Sequence, residues 1–493
     1  MKLKKAFGLF LTLAILASTL AVFPAAVHKA VSPMVKKGQA AELADISGST
    51  GLNYSLFTCQ LAGVADPCYD LYQIRHAYGI DSLIKAGFDG KGKTIVIVDA
   101  FQSPNIVSEL NTFDTFYGLP GLNGLGGKKN SKLGTFTQVA PDGLTPFDET
   151  NPFHTGWAEE ITLDVLLAHA MAPGANITLV LSKSDDDADI LSATQYAVDH
   201  NLGDIISQSF GENESCVDTN LLKAEHILFV KATLKGISLV AASGDQGAAQ
   251  PTCDGSSYVL AASSPASDPL VIGVGGTDLS AAGYCLLSQG CNPKKNPAPG
   301  TYQGEVVWNE FDSSWVSGGG FSVLYNQPFY QLAAFHSSKM RGVPDVAFNA
   351  SITHGILTWL DVPGDYTGWV TFGGTSVGTP GWAAILAIAG QKAGHNLGFV
   401  NLALYLIGLN KKTYAADFHD ITSGNNSVVE DVSVTGYNAG SGWDATTGFG
   451  SPAASQLVND LVKTVSVGDA LTASKTAGPS GNNHTGHGKV FTH

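Results

Sequence analysis

A run of mainly apolar stretches with helical segments between them constrains this chain more than any other feature. The stretches are "GKTIVIVDAF" (92–101), "NITLVLS" (176–182), "GDIISQSFG" (203–211), "ISLVAASGD" (237–245) and "PLVIGVGGTDLS" (269–280). Each is short, rich in β-branched residues and bounded by Gly, Pro or Asn, as strands are. Between them lie "WAEEITLDVLLAHAMAP" (157–173), "ADILSATQYAVDH" (188–200) and "LLKAEHILFVKATLKG" (221–236), which have a helical period and end near Pro or Gly. The strands are apolar along their length rather than alternating, as expected where helices cover both faces. The pattern therefore predicts an α/β fold, a doubly wound and mainly parallel sheet. Residues 281–370, rich in Gly, Ser, Asn and Pro, read as long loops, and a second loop region spans 411–452.

The chain has 493 residues, long for one domain but within reach of one large α/β unit with insertions. Its net charge is −15 and it has no basic run to meet phosphates, which argues against nucleic acid as a partner. Charged residues make up only 14%, against about 25% in an average soluble protein. With 27 Lys and Arg and 13 His, self-repulsion stays modest once carboxylates are neutralised, so the composition suits acid conditions.

"MKLKK" followed by "AFGLFLTLAILASTLAVFPAA" (6–26) reads as a secretory signal, residues 1–27, with export to the cell exterior. The same apolar run is long enough to span a bilayer as a retained anchor; after signal cleavage no stable membrane association is expected. Six cysteines suit an oxidising compartment. Their simplest pairing is local, Cys59–Cys68, Cys216–Cys253 and Cys285–Cys291, one of fifteen connectivities. Neither CxxC nor HExxH occurs, which disfavours zinc. Residues 28–65 read as a short arm, 66–465 as the folded domain and 466–493, low in apolar content, as an unstructured tail.

"TFGGTSVGTPGWAAI" (371–385) places Ser376 where a strand turns into a helix, a suitable position for a nucleophile that needs a base beside it. Three readings compete. Residues 374–378, Gly-Thr-Ser-Val-Gly, match the G-x-S-x-G elbow of esterase-type hydrolases, in which an acid and then a histidine follow the serine. His395 and His419 follow it, but nothing around them resembles a catalytic loop. A subtilisin-type order, Asp-His-Ser, would use Asp99, Ser376 and either His154 or His169, though neither histidine has the flanking Gly and Thr of such a site. The third reading turns on Glu160 and Asp164. Spaced i and i+4, they share one face of an otherwise apolar helix, with Cβ atoms about 6 Å apart. Two acids on a buried face repel unless they share a proton or have a chemical task.

These residues, with "SGDQG" (243–247) and "GGTSVGTP" (373–380), resemble the sedolisins, the serine-carboxyl peptidases of subtilisin-like fold. "YDLYQIRHAYGID" (69–81), "SGGGFS" (317–322), "PDVAFNA" (344–350) and "GWDATTGFGSP" (442–452) add to a likeness covering 66–465. The resemblance implies a secreted, acid-acting, monomeric peptidase with polypeptide substrates. It assigns Ser376 as nucleophile, Glu160 as general base and acid, Asp164 as its support and Asp245 as donor to the oxyanion, which an aspartate can be only when protonated. Asp99 would extend the acid network or simply end its strand. Ser317, Gly318 and Gly319 would be a backbone platform for the substrate. Asp420, Ile421, Gly440, Gly442 and Asp444 would hold one structural Ca2+ through carboxylates and carbonyls. Relatives often have Trp where this chain has Phe210, and they usually carry a large N-terminal prodomain, for which residues 28–65 are too few. The reading from another class is an inactive homologue that serves as a secreted binding protein.

Overall fold

The computed structural model describes residues 31–44, 52–125, 129–286, 291, 292, 294–310, 315–428 and 434–476. The expected signal segment and the end of the tail lie outside the described residues.

The strands that matter for the site are β1 (Ser32–Pro33), β2 (Lys36–Ala40), β3 (Thr94–Ala100), β4 (Phe136–Val139), β5 (Asn176–Ser182), β6 (Ile205–Gln208), β7 (Phe210–Asn213), β8 (Ser238–Ala242), β9 (Ile272–Ala281), β10 (Tyr302–Val307), β11 (Val346–Asn349), β12 (Ile356–Asp361) and β13 (Thr367–Gly373). The main sheet has the order β10-β9-β8-β6-β3-β5-β4, with β11 also pairing β9. All its pairs are parallel except β9 with β10.

Successive residues of β3 show why its sequence does not alternate. Ile95 and Ile97 enter one apolar core, with the helices α1 (Pro152–Met171) and α4 (Thr375–Ala393). Val96, Val98 and Ala100 enter the other, with α2 (Asp187–Asp199) and α3 (Thr219–Leu234). Both faces are buried, so both need apolar side chains. The chain leaves β3 for β4 and β5 on one side and then crosses to β6 on the other. Such a switch of direction opens a crevice at the carboxyl ends of the strands.

Two expectations are corrected. Residues 281–370 carry several strands as well as loops; β10, β12 and β13 pair antiparallel and tolerate polar residues on one face. The expected arm stands, tied to the domain, since β1 pairs with β7 and β2 with β13. The last helix, α5 (Ala454–Thr476), runs ten residues past the expected start of the tail at 466, through "SVGDALTASKT", whose Ala, Leu and Lys favour helix. The three local disulfides form as the simplest pairing expects. Among the described residues, no helix is long and apolar enough to cross a membrane.

Candidate active site

The residues expected to act are carried by the ends of parallel strands and by two helices. α1 begins at Pro152, earlier than its apolar period shows, because the Asn151 side chain accepts from Phe153 N at 2.9 Å and Pro152 needs no N–H partner at the first helical position. From Trp157 to Met171 nearly every residue is buried, Glu160 and Asp164 included. α4 begins directly after β13. Its cap, Gly374, has φ 93° and ψ 161°, a conformation open essentially to glycine alone. Ser376 is the second residue of that helix and is fully buried. Pro380, inside α4, lacks the N–H that would otherwise donate to the Ser376 carbonyl.

α1 packs against α4, which brings Glu160 to Ser376. Burial, and then the neighbouring Asp99 carboxyl, push Glu160 well above the usual carboxylate range; the Ser376 hydroxyl and the Val35 N–H pull it partly back. Val35 N donates to Glu160 Oε2 at 2.7 Å. Asp164 is also held well above its usual range, by burial, Asp99 and Glu160. Asp99, at the end of β3, is pushed up to about 8 by burial, and neither of its carboxyl oxygens has a hydrogen-bond partner among the described residues. Three buried acids thus share one site, and their burial together favours protons over three charges.

Ser209 links them. Its hydroxyl donates to Asp164 Oδ1 at 2.8 Å, while its carbonyl accepts from Ser376 Oγ at 3.3 Å and from Met34 N at 3.1 Å. Sequence reasoning missed Ser209. The only signal was its place in "SQSFG" at the carboxyl end of β6.

Asp245 follows β8. Its Oδ1 accepts from both Thr375 N and Thr375 Oγ1, each at 2.8 Å. Its Oδ2 has no hydrogen-bond partner among the described residues and lies 3.9 Å from Lys36 Nζ. Burial raises this carboxyl to about 6, against the opposing pull of Lys36 and Thr375. Held by one oxygen, Asp245 presents the other, when protonated, as a donor.

Ser317, Gly318 and Gly319 lie beside Asp245 and are held by their own hydrogen bonds. Val316 N donates to Asp245 O, Gly318 N to Gly244 O and Ser317 Oγ to Thr446 O. The edge that does accept a strand is β7, where Phe210 pairs with Pro33. The histidines are engaged elsewhere. His154 Nδ1 accepts from Asp148 N and its ring meets Phe101, buried His169 pairs with Asp114, and His419 stacks on Tyr302 and is lowered to about 4 by burial.

Four of the five expected calcium ligands, Asp420, Gly440, Gly442 and Asp444, make hydrogen bonds within one glycine loop. Asp420 accepts from Ser441 Oγ and Gly442 N, and Asp444 accepts from Gly440 N at 2.9 Å. Tyr414 OH reaches both Asp420 and Gly442 O. A Cβ on Gly440 or Gly442 would meet nothing within 4 Å, so both glycines border open space. Among the described residues, no cluster of three His, Cys, Asp or Glu side chains could hold a metal. The donors available here, two carboxylates and backbone carbonyls, fit a hard cation in kind.

The profile of the Subtilase family matches residues 152–403. Kumamolisin of Bacillus sp. (strain MN-32) is 30% identical over 419 residues, 83% of this chain and 66% of that protein. Sedolisin of Pseudomonas sp. (strain 101) is 32% identical over 293 residues, 57% and 45% of the two chains. Tripeptidyl-peptidase 1 of Rattus norvegicus is 29% identical over 333 residues, 62% and 52%. The chain thus spans 45 to 66% of the length of these curated relatives. Among solved structures, Pseudomonas sedolisin (serine-carboxyl proteinase) complexed with two molecules of pseudo-iodotyrostatin superposes with a TM-score of 0.63 at 26% identity, covering 80% of this chain and 98% of that one.

Proposed function

The chain belongs to the subtilase family and, within it, to the sedolisins, the serine-carboxyl peptidases, and we propose that it hydrolyses peptide bonds through an acyl-enzyme. Ser376 Oγ attacks the scissile carbonyl carbon while Glu160 takes the hydroxyl proton. Glu160 then gives that proton to the leaving amine and later takes one from the water that hydrolyses the ester. Asp164, held by Ser209, shares a proton with Glu160 and keeps it in working order, and Asp99 adds a third acid to the network. Such groups titrate as a set. Protonated Asp245 donates from Oδ2 to the oxyanion, which calls for acid conditions.

The observation that carries this reading is the convergence of buried Glu160, Asp164 and Asp99 on Ser376, with Asp245 beside it and the nearby histidines engaged elsewhere. A binding protein would have no use for so many buried acids around a serine, since burying each one costs free energy. The three disulfides suit export to an oxidising compartment. Asp420, Asp444 and the carbonyls of Ile421, Gly440 and Gly442 would hold Ca2+, whose charge would tie the loop to the body of the domain. Removal of calcium with a chelator is expected to lower the melting temperature, and restoring Ca2+ but not Mg2+ to recover it.

The test of the catalytic reading is cleavage of a mixed peptide library between pH 3 and 8. Wild type is expected to cut best in acid, and Ser376→Ala and Glu160→Gln each to lose activity by roughly 10⁴-fold or more. Full activity in Glu160→Gln would sink the carboxyl base and restore a histidine mechanism.

A further inference from the structure

Asp245 can donate to an oxyanion only if its proton is on the oxygen that faces the substrate. A carboxyl proton can sit on either oxygen, and a half turn about the last side-chain bond exchanges the two. The residue before the nucleophile decides between them.

Thr375 is the first residue of α4 and is fully buried. Its N–H and its hydroxyl both donate to Asp245 Oδ1, each at 2.8 Å. The hydroxyl also accepts from Gly244 N at 3.3 Å. Gly244 and Asp245 are neighbours in the chain, so the hydroxyl is clasped between the backbone and the side chain of one turn. A backbone N–H can only donate, so the Gly244 contact takes a lone pair of the hydroxyl and leaves its single proton for Asp245. Among the described residues, Oδ1 is the one acceptor of that proton. A proton on Oδ1 would have to point at Thr375 Oγ1 and would strand the threonine's own proton in a buried place, which costs a hydrogen bond. Oδ1 therefore stays an acceptor. Oδ2, which has no hydrogen-bond partner among the described residues, is left to carry the proton. It lies 2.8 Å from where a Cβ on Gly374 would stand, at the cap of α4 and two residues before Ser376. A threonine that served only to begin the helix would need its N–H here and not its hydroxyl.

We propose that Thr375 is a positioning residue that assigns the Asp245 proton to Oδ2, through a relay from the Gly244 N–H to the Thr375 hydroxyl to Asp245 Oδ1. The inference rests on the peptidase reading above, with Asp245 as donor to the oxyanion. The same hydroxyl has a second effect, of opposite sign. Burial raises the Asp245 carboxyl, while Lys36, the Thr375 N–H and the Thr375 hydroxyl draw it back toward the charged form. The charged or titratable groups that face Asp245 are Lys36 from β2, 3.9 Å from Oδ2, and Glu160 from α1. The hydroxyl thus places the proton and also makes it easier to lose. Without it, the enzyme is slower where Asp245 is protonated, but Asp245 stays protonated to higher pH.

The experiment compares kcat/KM for peptide hydrolysis from pH 3 to 8 in wild type, Thr375→Val and Thr375→Ser, with thermal unfolding as the check on folding. Valine keeps the β-branch and the N–H but has no hydroxyl, and serine restores the hydroxyl. Thr375→Val is expected to lose about tenfold at pH 4, less than the roughly 10²–10³ that follows loss of a donor outright. Its fall in rate, near pH 6 in wild type, is expected to move upward by about one pH unit. Thr375→Ser is expected to keep the wild-type midpoint. In an Asp245→Asn background no proton has to be placed, so adding Thr375→Val is expected to move no midpoint. Thr375→Ala, smaller than the native residue, gives the same comparison if the valine variant does not fold. A Thr375→Val enzyme that is slower at every pH but keeps the wild-type midpoint would overturn the inference, make the hydroxyl a brace of the fold and leave the peptidase reading standing. An upward shift that persists in the Asp245→Asn background would also overturn it, by assigning the titration to another group such as Glu160. A wild type that digests no peptide at any pH would remove the peptidase reading and this inference together.

Discussion

Asp245 has two oxygens with different tasks. Oδ1 is fixed by the Thr375 N–H and hydroxyl, and Oδ2 is left beside the Met34 carbonyl. An asparagine keeps the first contact and replaces the second oxygen with an N–H₂ that donates at every pH. If the proton on Asp245 is what the oxyanion needs, Asp245→Asn is expected to keep kcat/KM within about tenfold at pH 4 and to flatten the fall in rate near pH 6, where Asp245 titrates. Asp245→Ala, with no donor, is expected to lose about 10²–10³ at all pH values. Superimposable profiles for wild type and Asp245→Asn would make Asp245 a turn residue. At this scale the sequence was informative where a residue carries its own spacing signal. Glu160 and Asp164 stand on one face of an apolar helix, and that alone raised a question. Ser209 and Thr375 gave no such signal, because each works partly through its backbone, one through its carbonyl and the other through its N–H, and partly through a hydroxyl with no spacing of its own. Backbone groups are the same in every residue, so only the fold reveals them.

At the scale of elements, the start of α4 sets the geometry of the nucleophile. β13 must stop and the helix begin within two residues, and Gly374 makes the turn at φ 93°. Further along, a Cβ on Gly378 would come within 2.6 Å of Val274 and 2.9 Å of Phe348, so α4 lies closer to the sheet than any larger residue permits. Gly374→Ala is expected to cost at least a hundredfold in kcat/KM, since its Cβ would enter the space of the scissile carbonyl and strain the turn. A small loss there would mean that the carbonyl of a substrate sits elsewhere. Peptide hydrolysis by initial rates, with thermal unfolding as the check on folding, measures both effects. The central strands and helices were legible because burial on two faces writes a strong pattern. β1 and β2 were not, since "SPMVKKGQA" has no period of its own and gains its order from the edges of β7 and β13. The strands between 281 and 370 were read as loops for the same reason: pairing at sheet edges tolerates the Gly and Ser that elsewhere mark turns.

Over the whole molecule, buried carboxyls make stability depend on pH in one direction. Asp99, fully buried and unpartnered, is raised to about 8, and Glu109, buried beneath Asp361 and Thr162, to about 7. Glu160 and Asp164 are raised as well. In the unfolded chain these groups titrate near 4. Above that pH the folded state holds protons that the unfolded state has released, so folding is favoured in acid and loses ground as pH rises toward the folded values. Each such group removes about 1.4 kcal/mol per pH unit across that window. Asp81, depressed by Lys85 and His76, works in the opposite sense but only as the pH falls through its lowered value, and it is largely solvated. The melting temperature is therefore expected to be highest near pH 4 to 5 and to fall by roughly 10 °C by pH 7, for a chain of this size. Scanning calorimetry across that range checks it, with Asp99→Asn as the control: an amide there cannot ionise, so its profile should be flatter than that of wild type. A melting temperature that climbs toward neutrality would mean that these acids are solvated or paired in the folded protein, and it would remove the physical basis for an enzyme built to work in acid.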